Sequence, residues 1–194
     1  MAEPMKGNFR FQSRKPGPLK MASEETQHKS AVEAAQSFEF FWKADSYFSQ
    51  WHPSEFAEGD TTFSCTEQYM MYHKAVCFKD HEIATKILKT NSPKEMKKLG
   101  RAVKNYDDDI WESKCYDVVK RGNMLKFSQN PELKEKLFST RGKTLVEASP
   151  VDRKWGIGLA AKDSRSWNKS TWRGRNLLGY AITEVRDELM SEES

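Results

Sequence analysis

From residue 65 to about 78 the chain carries Tyr69, Met70, Met71, Tyr72, Ala75, Val76 and Cys77 with almost no polar face. A helix apolar all round is a buried one. A longer helix is expected from about 109 to 127, where Trp111, Cys115, Val118, Val119 and Leu125 form an i, i+4, i+7, i+8, i+14 stripe. The run Asp107, Asp108 and Asp109 at its start suits both capping and the helix dipole. Shorter helices are predicted over 81–89, over 92–99 with Ser92 as cap and Pro93 first, and from Pro131 through 138. A last helix, about 176–190, shows Leu178, Ile182, Val185 and Leu189 on one face. Strands are predicted at 38–42, 61–63 and 144–148. The stretches 47–53 and 149–172 read as loops carrying large rings. The fold class is therefore α+β, mainly helical with a few short strands, without the strand–helix alternation of a doubly wound sheet.

Residues 1–34 change that picture. They hold Pro4, Pro16, Gly17 and Pro18 among Lys, Arg, Ser and Glu with no sustained apolar period, and read as a flexible leader before one domain over 35–194. A chain of 194 residues suits a single domain. The first thirty residues hold six Lys/Arg against three Asp/Glu, most of the net charge of +4, so the rest is nearly neutral. A strongly basic nucleic-acid surface on the domain is not indicated. Mean hydropathy is −0.83, and no apolar run approaches the roughly 20 residues of a membrane span. The start of the chain has no apolar core of a secretory signal. An intracellular protein, cytoplasmic or nuclear and without membrane contact, is the expectation. Cys65, Cys77 and Cys115 lack CxxC spacing and lie in apolar helical patterns, which reads as buried free thiols. No metal or cofactor is expected.

Standard catalytic signatures are missing: no GxGxxG, P-loop, HExxH or GxSxG. Chemistry must come from unusual placements. Glu67 and Lys74 are the firmly charged residues of the apolar helix before its last turn. Seven residues apart, they share a face about 10 Å from end to end. They either grip one ligand or make two separate salt bridges to neighbouring helices. Burying a charge is costly without compensation, which is what makes the pair a candidate. Asp152 sits in a loop punctuated by Pro150, Gly156 and Gly158 beside Trp155, a layout of binding sites and also of plain turns. Trp111 falls on an apolar stripe and reads as core. Trp51, Trp155, Trp167 and Trp172 fall in loops, where rings either pack or stack on a base or sugar.

These placements coincide with a family pattern. Phe63 to Ala75, with Glu67, Gln68, Tyr69 and Lys74, resembles the motif of a Glu followed by an aromatic-rich helix and a Lys. Gly100-Arg101 followed by Trp111-Glu112 resembles a second motif. Leu145-Val146-Glu147, Asp152, Trp155-Gly156-Ile157-Gly158 and Gly174-Arg175-Asn176 resemble a C-terminal signature. The family is NADAR, or YbiA-like, and the match runs in order over about 36–190. Gln50 departs from the Asn usual in the Ser-Asn-aromatic loop. The resemblance implies a YbiA-like single domain that hydrolyses a ribose–base N-glycosidic bond. It places catalytic groups at Glu67, Lys74 and Asp152, and substrate contacts at Trp51, Gln68, Arg101, Trp111, Arg153, Trp155 and Gly156. Arg175 joins Arg101 and Arg153 as a candidate for pyrophosphate. The substrate expected is ADP-ribose on guanine, in a nucleotide or in nucleic acid that the basic leader would help to hold. The alternatives are ribosylamino-pyrimidine intermediates of riboflavin synthesis and a non-catalytic ADP-ribose-binding module. A helical interaction protein whose singled-out residues are all structural is a further rival.

Overall fold

A computed structural model describes residues 37–193. The proposed leader, 1–34, and its boundary lie outside the described residues. The elements run β1 (Phe38–Phe41), β2 (Phe56–Glu58), β3 (Thr61–Phe63), α1 (Thr66–Cys77), α2 (His81–Leu88), α3 (Pro93–Arg101), α4 (Asp108–Gln129), α5 (Pro131–Phe138), β4 (Thr144–Glu147) and α6 (Leu177–Glu192). Two 3-10 turns, Ser164–Trp167 and Lys169–Thr171, break the long loop before α6.

Caps set the helix starts as their side chains dictate. Asp80, Ser92 and Asp107 accept from the backbone N–H of Ile83, Glu95 and Ile110. Helix α1 has no side-chain cap. Its first turn is met instead by the Gln50 carbonyl, which accepts from the Glu67 N–H at 2.9 Å and from Thr66 Oγ1 at 3.3 Å. The main core is built by α1, α4 and α6 around Met70, Ala75, Ile87, Met96, Trp111, Val119, Phe127 and Ile182. Helix α3 crosses α1 at Gly100, where any β-carbon would overlap the Met71 sulfur. Glu58, on the β2–β3 hairpin, accepts from Tyr69 Oη at 2.8 Å and Arg121 Nε at 3.0 Å, tying the hairpin to α1 and α4.

Strands β1 and β4 pair in parallel, Phe38 opposite Thr144 through Phe41 opposite Glu147. The buried Asn176, held at φ 54°, clamps this sheet from the other side. Its Oδ1 accepts from the Glu147 N–H at 2.9 Å and its Nδ2 donates to the Leu145 carbonyl at 3.0 Å. Asn is among the residues that tolerate the left-handed region.

The predicted helices all form, within a few residues of the expected ends. Three details differ. Helix α1 is not buried all round, since Val76 is exposed and Tyr72, His73 and Lys74 are half-buried near its end. Cys77 is half-buried for the same reason, while Cys65 and Cys115 are buried; all three are free thiols. Strand β2 was not expected; it is fixed by Phe56 stacking on Phe63. Among the described residues no helix is long and apolar enough to cross a membrane.

Candidate active site

The loop before β2 is fixed from beneath by Lys126 of α4. This fully buried amine donates to the Tyr47 carbonyl at 2.7 Å and the Ser49 carbonyl at 3.1 Å. Burial pushes its pKa down to about 7. Ser49 Oγ in turn accepts from the Trp51 N–H at 3.1 Å. The loop therefore holds Gln50 and the Trp51 ring at the N-terminus of α1, and the Trp51 side chain hydrogen-bonds the Glu67 carboxylate.

Glu67 is 5% exposed. Desolvation pushes its pKa up to about 7, helped by the nearby Asp152 carboxylate and opposed by Lys97, the Trp51 hydrogen bond and Arg101. At neutral pH the group is poised to hold or release a proton. Glu147, at the end of β4, is pushed up to about 8 by burial, with Asp152 and Glu67 adding and Lys97 opposing. Its Oε2 is buried and has no hydrogen-bond partner among the described residues. Asp152 shapes its own loop: Oδ1 accepts from the N–H of Lys154 at 2.9 Å and of Trp155 at 2.8 Å, while its N–H donates to Ser149 Oγ at 3.1 Å. It both forms the turn and lines the cavity.

These three acids line one cavity of about 760 Å³. That volume suits a nucleotide-sized ligand, since small-molecule pockets run from about 300 to 1,000 Å³. Lys74 lines it too, with Nζ 4.0 Å from the centre of the Tyr106 ring. Burial holds its pKa below the usual ammonium range, Asp108 opposing and Lys154 and Arg101 adding. Lys154 is also paired with Glu112. The cavity thus has an acidic end, Glu67 with Glu147 and Asp152, and a cationic end, Lys74 with Arg101 and Lys154. Lys97 belongs to the acidic end, because it opposes the proton-holding tendency of both glutamates. Among the described residues no group of three His, Cys, Asp or Glu side chains is placed to hold a metal ion.

Of the residues singled out in the sequence, Glu67, Lys74, Asp152, Trp51, Arg101, Trp111 and Trp155 line this cavity. Trp111 serves as core and wall at once, being 4% exposed. Gln68 does not line it. One residue past Glu67 it points around the helix, where Oε1 accepts from Ser64 N at 2.7 Å and Nε2 donates to the carbonyls of Ile87 and Thr90, each at 3.0 Å. Gly156 packs under the site instead of lining it; a β-carbon there would stand 2.8 Å from the Glu147 carbonyl. Arg153 and Arg175 are exposed outside the cavity, their backbones joined by the Arg175 N–H donating to the Arg153 carbonyl at 2.9 Å. Trp167 and Trp172 pack with Phe38 and Phe40 in a separate cluster. The reading from residues alone assigned no role to Glu147, Lys97 or Gln50.

The NADAR domain family matches residues 40–190. The chain is 44% identical over 146 residues to N-glycosidase R617 of Acanthamoeba polyphaga mimivirus, covering 73% of this chain and 86% of that protein. It is 31% identical over 166 residues to the chloroplastic riboflavin biosynthesis protein PYRR of Zea mays, covering 79% of this chain and 25% of that protein. The solution structure of Escherichia coli YbiA superposes with a TM-score of 0.67 at 25% identity, covering 81% of this chain and 88% of that one.

Proposed function

The chain belongs to the NADAR domain family, and on that premise we propose that it is an N-glycosidase releasing ADP-ribose from guanine, in a nucleotide or in nucleic acid. The observation that carries the reading is the buried Glu67 in a cavity with an acidic and a cationic end. Breaking a ribosyl–nitrogen bond requires a proton for the departing base and stabilisation of positive charge at C1 of the sugar. A carboxyl whose pKa stands near 7 serves as acid and then as base, as one carboxyl does in glycoside hydrolysis. The Asp152 carboxylate and the ring of Trp51 border the developing charge. Arg101 and Lys154, at the cationic end, receive the diphosphate.

Lys74 is the nucleophile in this reading. Its amine, partly desolvated, attacks C1 of the ring-opened sugar, expelling the base as an amine and leaving a Schiff base that water hydrolyses. The acid needed at each proton transfer is Glu67. An intracellular setting goes with the reading, where Cys65, Cys77 and Cys115 stay reduced.

The match to the riboflavin biosynthesis protein favours a second substrate class, ribosylamino-pyrimidines carrying a 5-phosphate. Both classes present the same ribose. Incubation with ADP-ribosylated guanosine and, separately, with a ribosylamino-pyrimidine phosphate discriminates them. Free ADP-ribose from the first is the expected result. Cleavage of the second alone would move the substrate to the pyrimidines. Binding of ADP-ribose with no cleavage of either would leave a binding module and overturn the enzyme.

A further inference from the structure

Two of the three buried side-chain oxygens without a hydrogen-bond partner among the described residues belong to residues that line the same cavity: Gln50 Oε1 and Glu147 Oε2. Gln50 is 7% exposed, and its Nε2 reaches only the Met70 thioether, at 3.4 Å. Sulfur is a weak acceptor. Turning the amide over would put the NH2 in the unpaired position and set oxygen against sulfur, so the orientation seen is the better one. The loop backbone is fixed in place, which leaves the Gln50 side chain at this wall of the cavity. Lys126 grips the carbonyls of Tyr47 and Ser49, and the Gln50 carbonyl is itself engaged by Thr66 and Glu67. A buried acceptor held without a partner destabilises the empty protein, and a ligand donor would satisfy it.

We propose that Gln50 Oε1 and the Glu147 carboxyl seat the vicinal 2- and 3-hydroxyls of a ribofuranosyl 5-phosphate, so that the site rejects 2-deoxyribosyl ligands. The inference rests on the ribosyl reading above and adds the part of the sugar that is recognised and the residues that recognise it. Both groups flank Glu67. The Gln50 carbonyl accepts from its backbone N–H, and the Glu67 carboxylate raises the Glu147 carboxyl's hold on its proton. The base must lie against Glu67 to be protonated as it leaves. The sugar carbon beside C1 then faces the flanking residues and brings the 2-hydroxyl with it. The 5-phosphate is drawn the other way, to Arg101 and Lys154. An amide oxygen only accepts, whereas a carboxyl that keeps its proton also donates. Adjacent hydroxyls, each donor and acceptor, complement that pair, and a site built to hydrogen-bond a hydroxyl discriminates against the analogue lacking it.

The test is binding, not turnover. Ribose 5-phosphate and 2-deoxyribose 5-phosphate are titrated into the full chain and into the variants Gln50→Leu and Glu147→Leu, followed by NMR or calorimetry. The wild type is expected to prefer the ribose form by about tenfold or more, the worth of one buried hydrogen bond lost with its partner left unpaired. Each variant is expected to lose about tenfold for ribose 5-phosphate and little for the deoxy form. Unliganded Gln50→Leu should melt no lower than the wild type, since it deletes an unpaired polar group. Equal affinity of the wild type for both sugars overturns the diol seat while leaving an N-glycosidase standing. Equal loss for both sugars in Gln50→Leu, or a lowered melting temperature, makes the amide a structural group and overturns it as well. No binding of either sugar removes the seat together with the ribosyl reading.

Discussion

Replacing Glu67 by Gln should stop the enzyme and stabilise the fold, and the pH dependence of the second effect is its signature. Glutamine keeps the shape and can still accept from Trp51, but it has no proton to give. Turnover should fall by about 100-fold or more, the usual contribution of a positioned general acid. Stability follows from burial. The carboxyl titrates near 4.5 in an unfolded chain and near 7 here, because burial disfavours its charged form. Below pH 4.5 both states hold the proton and nothing is lost. Between 4.5 and 7 the unfolded chain sheds its proton while the fold retains it, so the unfolded state gains and stability falls as pH rises. Above 7 the loss is complete, about 3 kcal/mol at about 1.4 kcal/mol per tenfold step in proton affinity. Glu147 has the same sign, and removing the Glu67 charge relaxes its raised pKa, which adds to the variant's gain at alkaline pH. Lys126 has the opposite sign in another window, raising stability from about pH 7 toward 10.5, and cancels in the comparison.

The assay is a pair of melting curves, wild type and Glu67→Gln, from pH 5 to 8.5. The Gln variant should melt close to the wild type at pH 5 and about 5–10 °C above it at pH 8.5, at about 2–4 °C per kcal/mol for a domain of this size. A Gln variant less stable at pH 8.5 would refute the reasoning. The carboxylate would then be an ionised partner in a structural ion pair, and the fold would need its charge.

The remaining predictions concern its neighbours. Asp152→Asn should fold normally, because the amide oxygen can still accept from the N–H of Lys154 and Trp155, and should lose about 100-fold in turnover with binding kept; a drop in melting temperature of more than a few degrees would mark the charge as structural. Lys74→Arg should be as inactive as Lys74→Ala, since a guanidinium stays protonated; borohydride added during turnover should leave a sugar on the α1 peptide by mass spectrometry, and an active Arg variant without an adduct would reassign Lys74 to phosphate. Gly100→Ala should drive Met71 into the cavity, costing about 1–3 kcal/mol of stability by overpacking and weakening ligand binding; unaltered melting and affinity would show that α3 stands off from α1.

How much of this was legible in the sequence depends on where each residue's partners lie. The helices α1, α4 and α6 were readable because their apolar stripes are local and long. Glu67 and Lys74 shared a face by spacing alone, and the cavity contains both. The same period argues against Gln68: one residue on is a rotation of about 100°, and it is positions i+3, i+4 and i+7, Met70, Met71 and Lys74, that join Glu67 in the wall. A motif groups Glu67 with Gln68, but the helix separates them. Glu147 failed for a different reason. In the four-residue strand Thr144–Glu147 a terminal acid reads as solvent-facing, since nothing within the strand says what covers it. What holds it is Asn176, twenty-nine residues later, bonded to its N–H, and what places it is a parallel partner, Phe41, more than a hundred residues earlier. Asp152 depends on the same clamp, because the Ile157 N–H donates to the Glu147 carbonyl and closes the loop that carries it. The three acids come from a helix, a strand end and a loop, and their coupling exists once the β1–β4 pair and Asn176 have brought the last two against the first. Chain spacing can therefore nominate Glu67 and Asp152 by their local oddity, while the raised proton affinity that makes Glu67 an acid at neutral pH comes from its burial in the assembled site, with the Asp152 carboxylate adding to it.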